Sequence, residues 1–184
     1  MNNTSNIMFD YSKLPAPAEL MNIPGKRVPK WSRNLCGSPM KDQYGRDGIR
    51  KIVVKLNPSD AEAMVACGWP VSYPKPENIK DGDVPVPYIV MSLFPDPKKG
   101  FAPPVVAIDN GRGLTYLGKD TYDMFDTCDL EYIDVKFHAY FSKLGNVRIA
   151  IDKLYAKIHM SELDKKLETL YPNPDIYQAD YEEA

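Results

Sequence analysis

The sequence predicts a mainly β protein: an OB-like small barrel of about five strands with short helices and an extended N-terminal arm. Three observations carry this. Several short segments alternate apolar and polar residues with period two, the spacing of a strand with one buried face. Seventeen prolines and eleven glycines in 184 residues enforce short elements and frequent turns. Twelve tyrosines against six phenylalanines supply rings that tolerate one wet edge. A hydrophobic content of 43% suffices for one domain with a real core and argues against wholesale disorder.

Residues 1–30 hold Pro15, Pro17, Pro24 and Pro29 with little periodicity, and read as the arm, ordered against the body or a partner. The body is expected over 31–160. A first strand falls near residues 31–36, before the turn-rich loop SPMKDQYGRDG at 38–48. In IRKIVVKL, residues 49–56, Ile52, Val54 and Leu56 point one way and Lys51, Val53 and Lys55 the other. Asn57 is placed to cap a helix that starts at Pro58, gains from Asp60 and Glu62 at its positive end, and stops at Gly68. Residues 70–85 are proline-rich and expected to be extended or looped.

YIVMSLF, residues 88–94, puts Ile89, Met91 and Leu93 inward, with Tyr88, Val90, Ser92 and Phe94 outward. After the loop PDPKKGFAPP, the run VVAIDNGRGLTYL gives a strand, a tight turn at 109–111 and a short return strand. A short helix starts at Asp120 and ends near Cys128. The hairpin KFHAYFSKLGNVRIAIDKLYAK closes the body. Its first arm turns Val135, Phe137, Ala139 and Phe141 inward and Lys136, His138 and Tyr140 outward. On the return arm Val147, Ile149 and Ile151 face in, then Leu154, Ala156 and Ile158. The slip of one residue at 152–153 predicts a β-bulge, with Arg148, Lys153, Tyr155 and Lys157 outward. A short helix capped by Ser161 is expected over 161–170, within a linker segment 161–174. The order strand, helical insertion, strand, strand pair, short helix, strand, strand is the oligonucleotide/oligosaccharide-binding (OB) plan. A β-sandwich or another small barrel remains open.

The net charge of −2 hides a segregation. Residues 175–184, DIYQADYEEA, carry four acids and no base, so the rest of the chain stands at +2. The N-terminal stretch lacks the basic-then-apolar pattern of a signal peptide, and no apolar run approaches the ~20 residues that span a bilayer. Cys36, Cys67 and Cys128 form no CxxC and are expected as small buried hydrophobes in a reducing compartment. A soluble, intracellular protein without membrane contact is expected.

Catalysis has little to build on. His138 and His159 sit in strand patterns and belong to no HExxH-like pair. IDNGRG lacks the third glycine and the following helix of a phosphate-binding loop, and reads as a hairpin turn. The acids Asp120, Asp123, Asp126, Asp129, Glu131 and Asp134 read as caps and a solvated face, with metal-dependent phosphoryl chemistry as the sharper alternative. No enzyme activity, cofactor or metal is expected.

The outward rows point instead to binding. Lys51, Lys55, Tyr88, Phe94, Lys136, Tyr140, Arg148, Lys153 and Tyr155 form the expected contact set, with Tyr44, Arg46, Lys98, Lys99, Phe101 and Arg112 on loops. Cations that track phosphates, mixed with rings that stack on bases, suit single strands bound without choice of sequence. A strongly basic helix for a duplex groove is not visible. Trp31 and Trp69 are expected in packing roles, although Trp31 beside Lys30 and Arg33 could stack. The same tyrosines would also suit a protein interface, as in a non-enzymatic structural or protein-interaction β module of a phage particle.

DGIRKIVVKL, DAEAMVACGWPV, PPVVAID, LTYLGKDTYDMFDTCDLEYIDVKFHAYF and NVRIAIDKLYAKI follow one another over residues 47–158. This succession resembles the bacteriophage single-stranded-DNA-binding proteins of the OB-fold type. The resemblance implies coating and protection of exposed single-stranded DNA in phage DNA replication and recombination, in the cytoplasm of the infected bacterial host. It also implies that the acidic C-terminal tail, 175–184, recruits replication proteins and competes with DNA for the basic face. The arm before Trp31 has no counterpart in that pattern and is expected to cover an edge strand or to support homo-oligomer formation.

Overall fold

The computed structural model describes residues 9–80, 82–96 and 102–159. Eight strands and two helices follow in chain order: β1 (Ala18–Pro24), β2 (Arg33–Asn34), β3 (Lys51–Lys55), α1 (Pro58–Ala66), β4 (Tyr88–Ser92), β5 (Val105–Asp109), β6 (Leu114–Leu117), α2 (Tyr122–Thr127), β7 (Leu130–Phe141) and β8 (Val147–Ile158). From β3 onward the order is the expected one. The expected helix at 161–170, the acidic tail, Lys98, Lys99 and Phe101 lie outside the described residues.

The strands form one mixed, open, eight-stranded sheet, not a closed barrel of five. The reason is the length of β8. It lies antiparallel to β7 along both strands, while its other edge is divided. Met91 and Ser92 of β4 pair parallel with Ile149 and Ala150, and all of β5 pairs parallel with residues 153–157. One branch continues through β3 to β2, the other to β6. The expected first strand at 31–36 shrinks to two residues on β3, Arg33 and Asn34. Within the segment expected as an arm, Ala18–Pro24 forms β1 along the free edge of β7.

The predicted slip in β8 is present. Lys136 pairs with Lys153 and Phe137 with Ile151, so Asp152 is the extra residue. The insertion returns Leu154 and Ala156 to the inner face that Ile149 and Ile151 already occupy, and all four are buried. The inner rows of β3, β4 and β7 (Ile52, Val54, Ile89, Met91, Ile133, Val135, Phe137) complete the sheet's share of a single core. Ala61 and Met64 of α1 join that core, as does Trp69, whose ring meets Phe137 edge-on at 4.8 Å. Asn57 caps α1 as expected, its side chain accepting the Asp60 N–H at 2.7 Å. Cys67, expected inside, is exposed because it ends α1 on the solvent side; Cys36 and Cys128 are half-buried.

Two buried charges join the segment before β3 to α2. Arg33 donates from Nε to Val28 O and from Nη1 to Phe125 O and Cys128 O, each at 2.8 Å. Asp126, expected on a solvated face, is 1% exposed and accepts the N–H groups of Leu35 and Cys36 at 2.8 and 3.0 Å. Lys41 Nζ lies 3.5 Å from the same carboxylate. Every hydrogen-bonding group lost here would leave buried partners unsatisfied. Arg33→Met should therefore cost on the order of 3 kcal/mol in chemical denaturation, through the three orphaned carbonyls.

The turn after β1 is fixed by a close approach. A Cβ built on Gly25 would fall 1.9 Å from the carbonyl oxygen of Leu130, at the start of β7. Only glycine fits without moving backbone. Gly25→Ala should destabilise the fold by about 1–3 kcal/mol and lower the melting temperature, whereas an alanine at the open position Gly113 meets nothing within 4 Å.

Candidate nucleic-acid interface

Alternation places the outward residues of β3, β4, β7 and β8 on the sheet face opposite the core, where they line three hollows. The first, of about 440 Å³, lies at one end of the β3–β4 pair. Lys55 and Tyr88 are directly opposite in register there. Trp31, on the turn before β2, stands 72% exposed, with the Lys55 ammonium 5.3 Å from its ring centroid. Trp69 takes the packing role; Trp31 does not.

The second hollow, of about 380 Å³, lies where β4 ends. Phe94 and Tyr140, far apart in the chain, meet edge-to-face at 5.4 Å, and Arg148 is the cross-strand partner of Tyr140. Arg50 and Lys119 line the same hollow. Both are engaged: Arg50 donates to Leu35 O and lies over the Tyr122 ring, and Lys119 reaches Asp96 at 3.3 Å. The third hollow is shallower, about 190 Å³, and is lined by Lys136, Lys153, Tyr155 and Glu19 among others. Residues 51 and 55 of β3, like 136 and 140 of β7, are separated by ~13 Å at strand rise, so the hollows are successive stations and not one cavity.

Carboxylates decide which cations are available. Lys51 is held on the buried Asp42 at 3.1 Å, and Lys136 on Glu19 of β1 at 3.1 Å. Lys157 and the Tyr155 hydroxyl both donate to Asp109 Oδ2, at 3.1 and 2.9 Å. Burial first, then this bond, raises the Tyr155 hydroxyl above its ordinary value, so it stays a neutral donor. His138 is bound to Asp152 at 2.7 Å. Lys55 at the first hollow, Lys153 at the third, and Arg148 across the strand pair from Tyr140 of the second have no carboxylate partner among the described residues. Lys136 and Lys153 moreover face each other as a direct cross-strand pair, an arrangement that opposes stability.

Of the nine expected contact residues, the structure thus brings Lys55 and Tyr88 to one hollow, Phe94 and Tyr140 to a second with Arg148 paired across from Tyr140, and Lys136, Lys153 and Tyr155 to a third. Lys51 is drawn aside. On the loop, Arg46 covers the Tyr44 ring at 4.9 Å and is itself anchored by Asp42. The exposed indole of Trp31 is the main feature that the residue pattern under-weighted. Its proximity to Lys55 arises only from the pairing of β2 with β3. Among the described residues no group of His, Cys, Asp and Glu could hold a metal ion, and no helix is long and apolar enough to cross a membrane.

Comparison of the chain with protein-family models, with curated proteins and with solved structures gives no match. The geometry of this face must therefore carry the functional reading by itself.

Asp42 organises the loop that borders the face. It accepts from Arg46 Nε at 3.0 Å, from Lys51 Nζ at 3.1 Å, and from the N–H groups of Tyr44 and Arg46 at 3.1 Å each. The Arg46 guanidinium above all, with these other donors, holds its carboxyl well below the ordinary aspartate value. A depressed folded-state pKa stabilises the protein above the unfolded value near ~3.9 and loses that contribution as pH falls towards the folded one. Asp42→Asn should be less stable than the parent at pH 7, with the difference shrinking steadily in melts taken from pH 5 down to pH 2.

Proposed function

We propose that this sheet face binds single-stranded DNA without choice of sequence along most of its track. In this reading the protein coats exposed strands during phage DNA replication and recombination in the bacterial host. The observation that carries it is the repeated pairing of a ring with an acid-free cation: Trp31 and Tyr88 with Lys55, Phe94 and Tyr140 with Arg148, Tyr155 with Lys153. A flexible polyanion with a flat base every few ångströms matches such stations, because phosphates neutralise the cations and bases stack on the rings at ~1–3 kcal/mol each. Lys153, opposed to Lys136 across the strand pair, is a further support, since Glu19 engages Lys136 and leaves Lys153 without an acid. The acidic segment 175–184 fits the same reading as a partner-recruiting tail, as does the resemblance of the sequence to phage single-stranded-DNA-binding proteins of the OB-fold type.

A second reading, a structural or protein-docking β module, draws on one feature. The outer edge of β6 is uncharged, with Leu114 and Tyr116 exposed, and has no second partner strand among the described residues.

Fluorescence titration with oligo-dT at several salt concentrations separates the two. Three phosphate contacts at ~0.7 released counterions each give a log–log slope of about −2. The double variant Arg148→Ala, Lys153→Ala should reduce that slope to about −0.7 and weaken binding at low salt. A protein that ignores the oligonucleotide but associates tightly with itself or another protein would decide for the docking module.

A further inference from the structure

The three hollows are not equivalent. The third is walled by the sheet itself and the second mainly by the segments flanking β3 and following β4, whereas the first is enclosed on one side by the proline-rich connection between α1 and β4. That connection brings Asn78, at the end of the short turn Pro76–Asn78, and Asp83 into the same lining as Trp31. Val53, Ile79, Val84 and Val86 add apolar wall. Val84 is 78% exposed and Val86 46%, so apolar surface is presented to solvent beside an exposed indole. At about 440 Å³ the hollow exceeds what one planar heterocycle needs.

Its charged and amide side chains are three: Lys55 stands at the indole face, and Asn78 and Asp83 line the same hollow. The side chains of Asn78 and Asp83 have no hydrogen-bond or ion-pair partner among the described residues. A carboxylate only accepts hydrogen bonds, so the group it would meet must donate. It would also repel a phosphate, which directs any phosphate to Lys55. A stacking ring, a cation and an unpartnered acceptor lining one hollow match a nucleotide whose base carries an exocyclic amino group.

We infer that the Trp31 hollow seats one unstacked, amino-bearing base of the bound strand. The base lies against the indole, its amino group donates to Asp83 with Asn78 beside it, and Lys55 swings on its four-carbon stem from the ring face to the neighbouring phosphate. Thymine, which presents a carbonyl at the corresponding position, leaves Asp83 facing an acceptor and is disfavoured. The inference rests on the single-stranded DNA reading and adds one base-selective station to a track that is otherwise indifferent to sequence.

Oligo-dC and oligo-dT of equal length test it, since both are pyrimidine strands and differ at the amino position. The parent protein should bind oligo-dC about 5-fold more tightly than oligo-dT. Asp83→Ala should bring the two affinities together. Trp31→Ala should weaken oligo-dC binding about 10-fold. Trp31→Phe should remove the emission quenching, because the other tryptophan, Trp69, is buried. The unchanged emission of Trp69 and the melting temperature check that these surface variants fold. Equal affinity of the parent protein for the two strands, or parent-like binding by Trp31→Ala while Arg148→Ala, Lys153→Ala is weakened, overturns the base pocket and leaves the single-strand reading standing. Failure of the parent protein to bind either strand at low salt overturns both.

Discussion

The fold depends on one strand edge serving two neighbours. A buried strand must pair its backbone groups on both sides, and β8 does so along its length with β7 but in two instalments with β4 and β5. Such a division turns the strand's two halves relative to each other, which threatens to rotate one half's apolar side chains out of the core. The extra residue Asp152 absorbs that turn. Were Asp152 paired regularly instead of bulged, Lys153 would occupy the place that Leu154 holds, and the inner face would carry an ammonium amid Ile133, Val135 and Ile151. Asp152 is not left bare, since the His138 ring on the partner strand closes on it.

The branched sheet also sorts charge. On the outer face most carboxylates are spent on holding structure: Asp42 on its loop, Asp109 at the β5–β6 turn with Tyr155 and Lys157, and Asp134 on the Asn22 N–H, at the bulge of β1. Asn22 has a φ of 54° there, a left-handed conformation that asparagine tolerates better than most residues. The lysines so engaged position loops and strands. The remaining cations lie beside rings, and that partition, more than any excess of positive charge, distinguishes the face.

Much of this was legible in the chain because period-two alternation survives wherever one face is buried. Lys51 to Leu56, Tyr88 to Phe94 and the hairpin arms could each be assigned to a face, and the slip at Asp152 was visible as a break in phase. The cap of α1 was equally local. What stayed hidden was tertiary. Nothing in AELMNIP announces that it pairs with a strand more than a hundred residues away, and closure of a barrel depends on shear and edge pairing that alternation does not encode. Arg33 and Asp126 read as surface residues because charge is rarely buried, and only the convergence of five backbone groups on their side chains reverses that. Which lysines are neutralised by carboxylates is likewise settled by contacts between distant segments, as is the standing of Trp31.

The attachment of β1 carries a consequence for how charge on the face is controlled. Glu19 sits opposite Lys136 because the two strands are in register, so the carboxylate is delivered by a ladder of backbone bonds and not by a mobile side chain alone. Peeling the leader away would bare the edge of β7 and release the Lys136 ammonium in the same event. Edge protection and electrostatic masking are thereby a single mechanical variable, and anything that grips β1 acts on both.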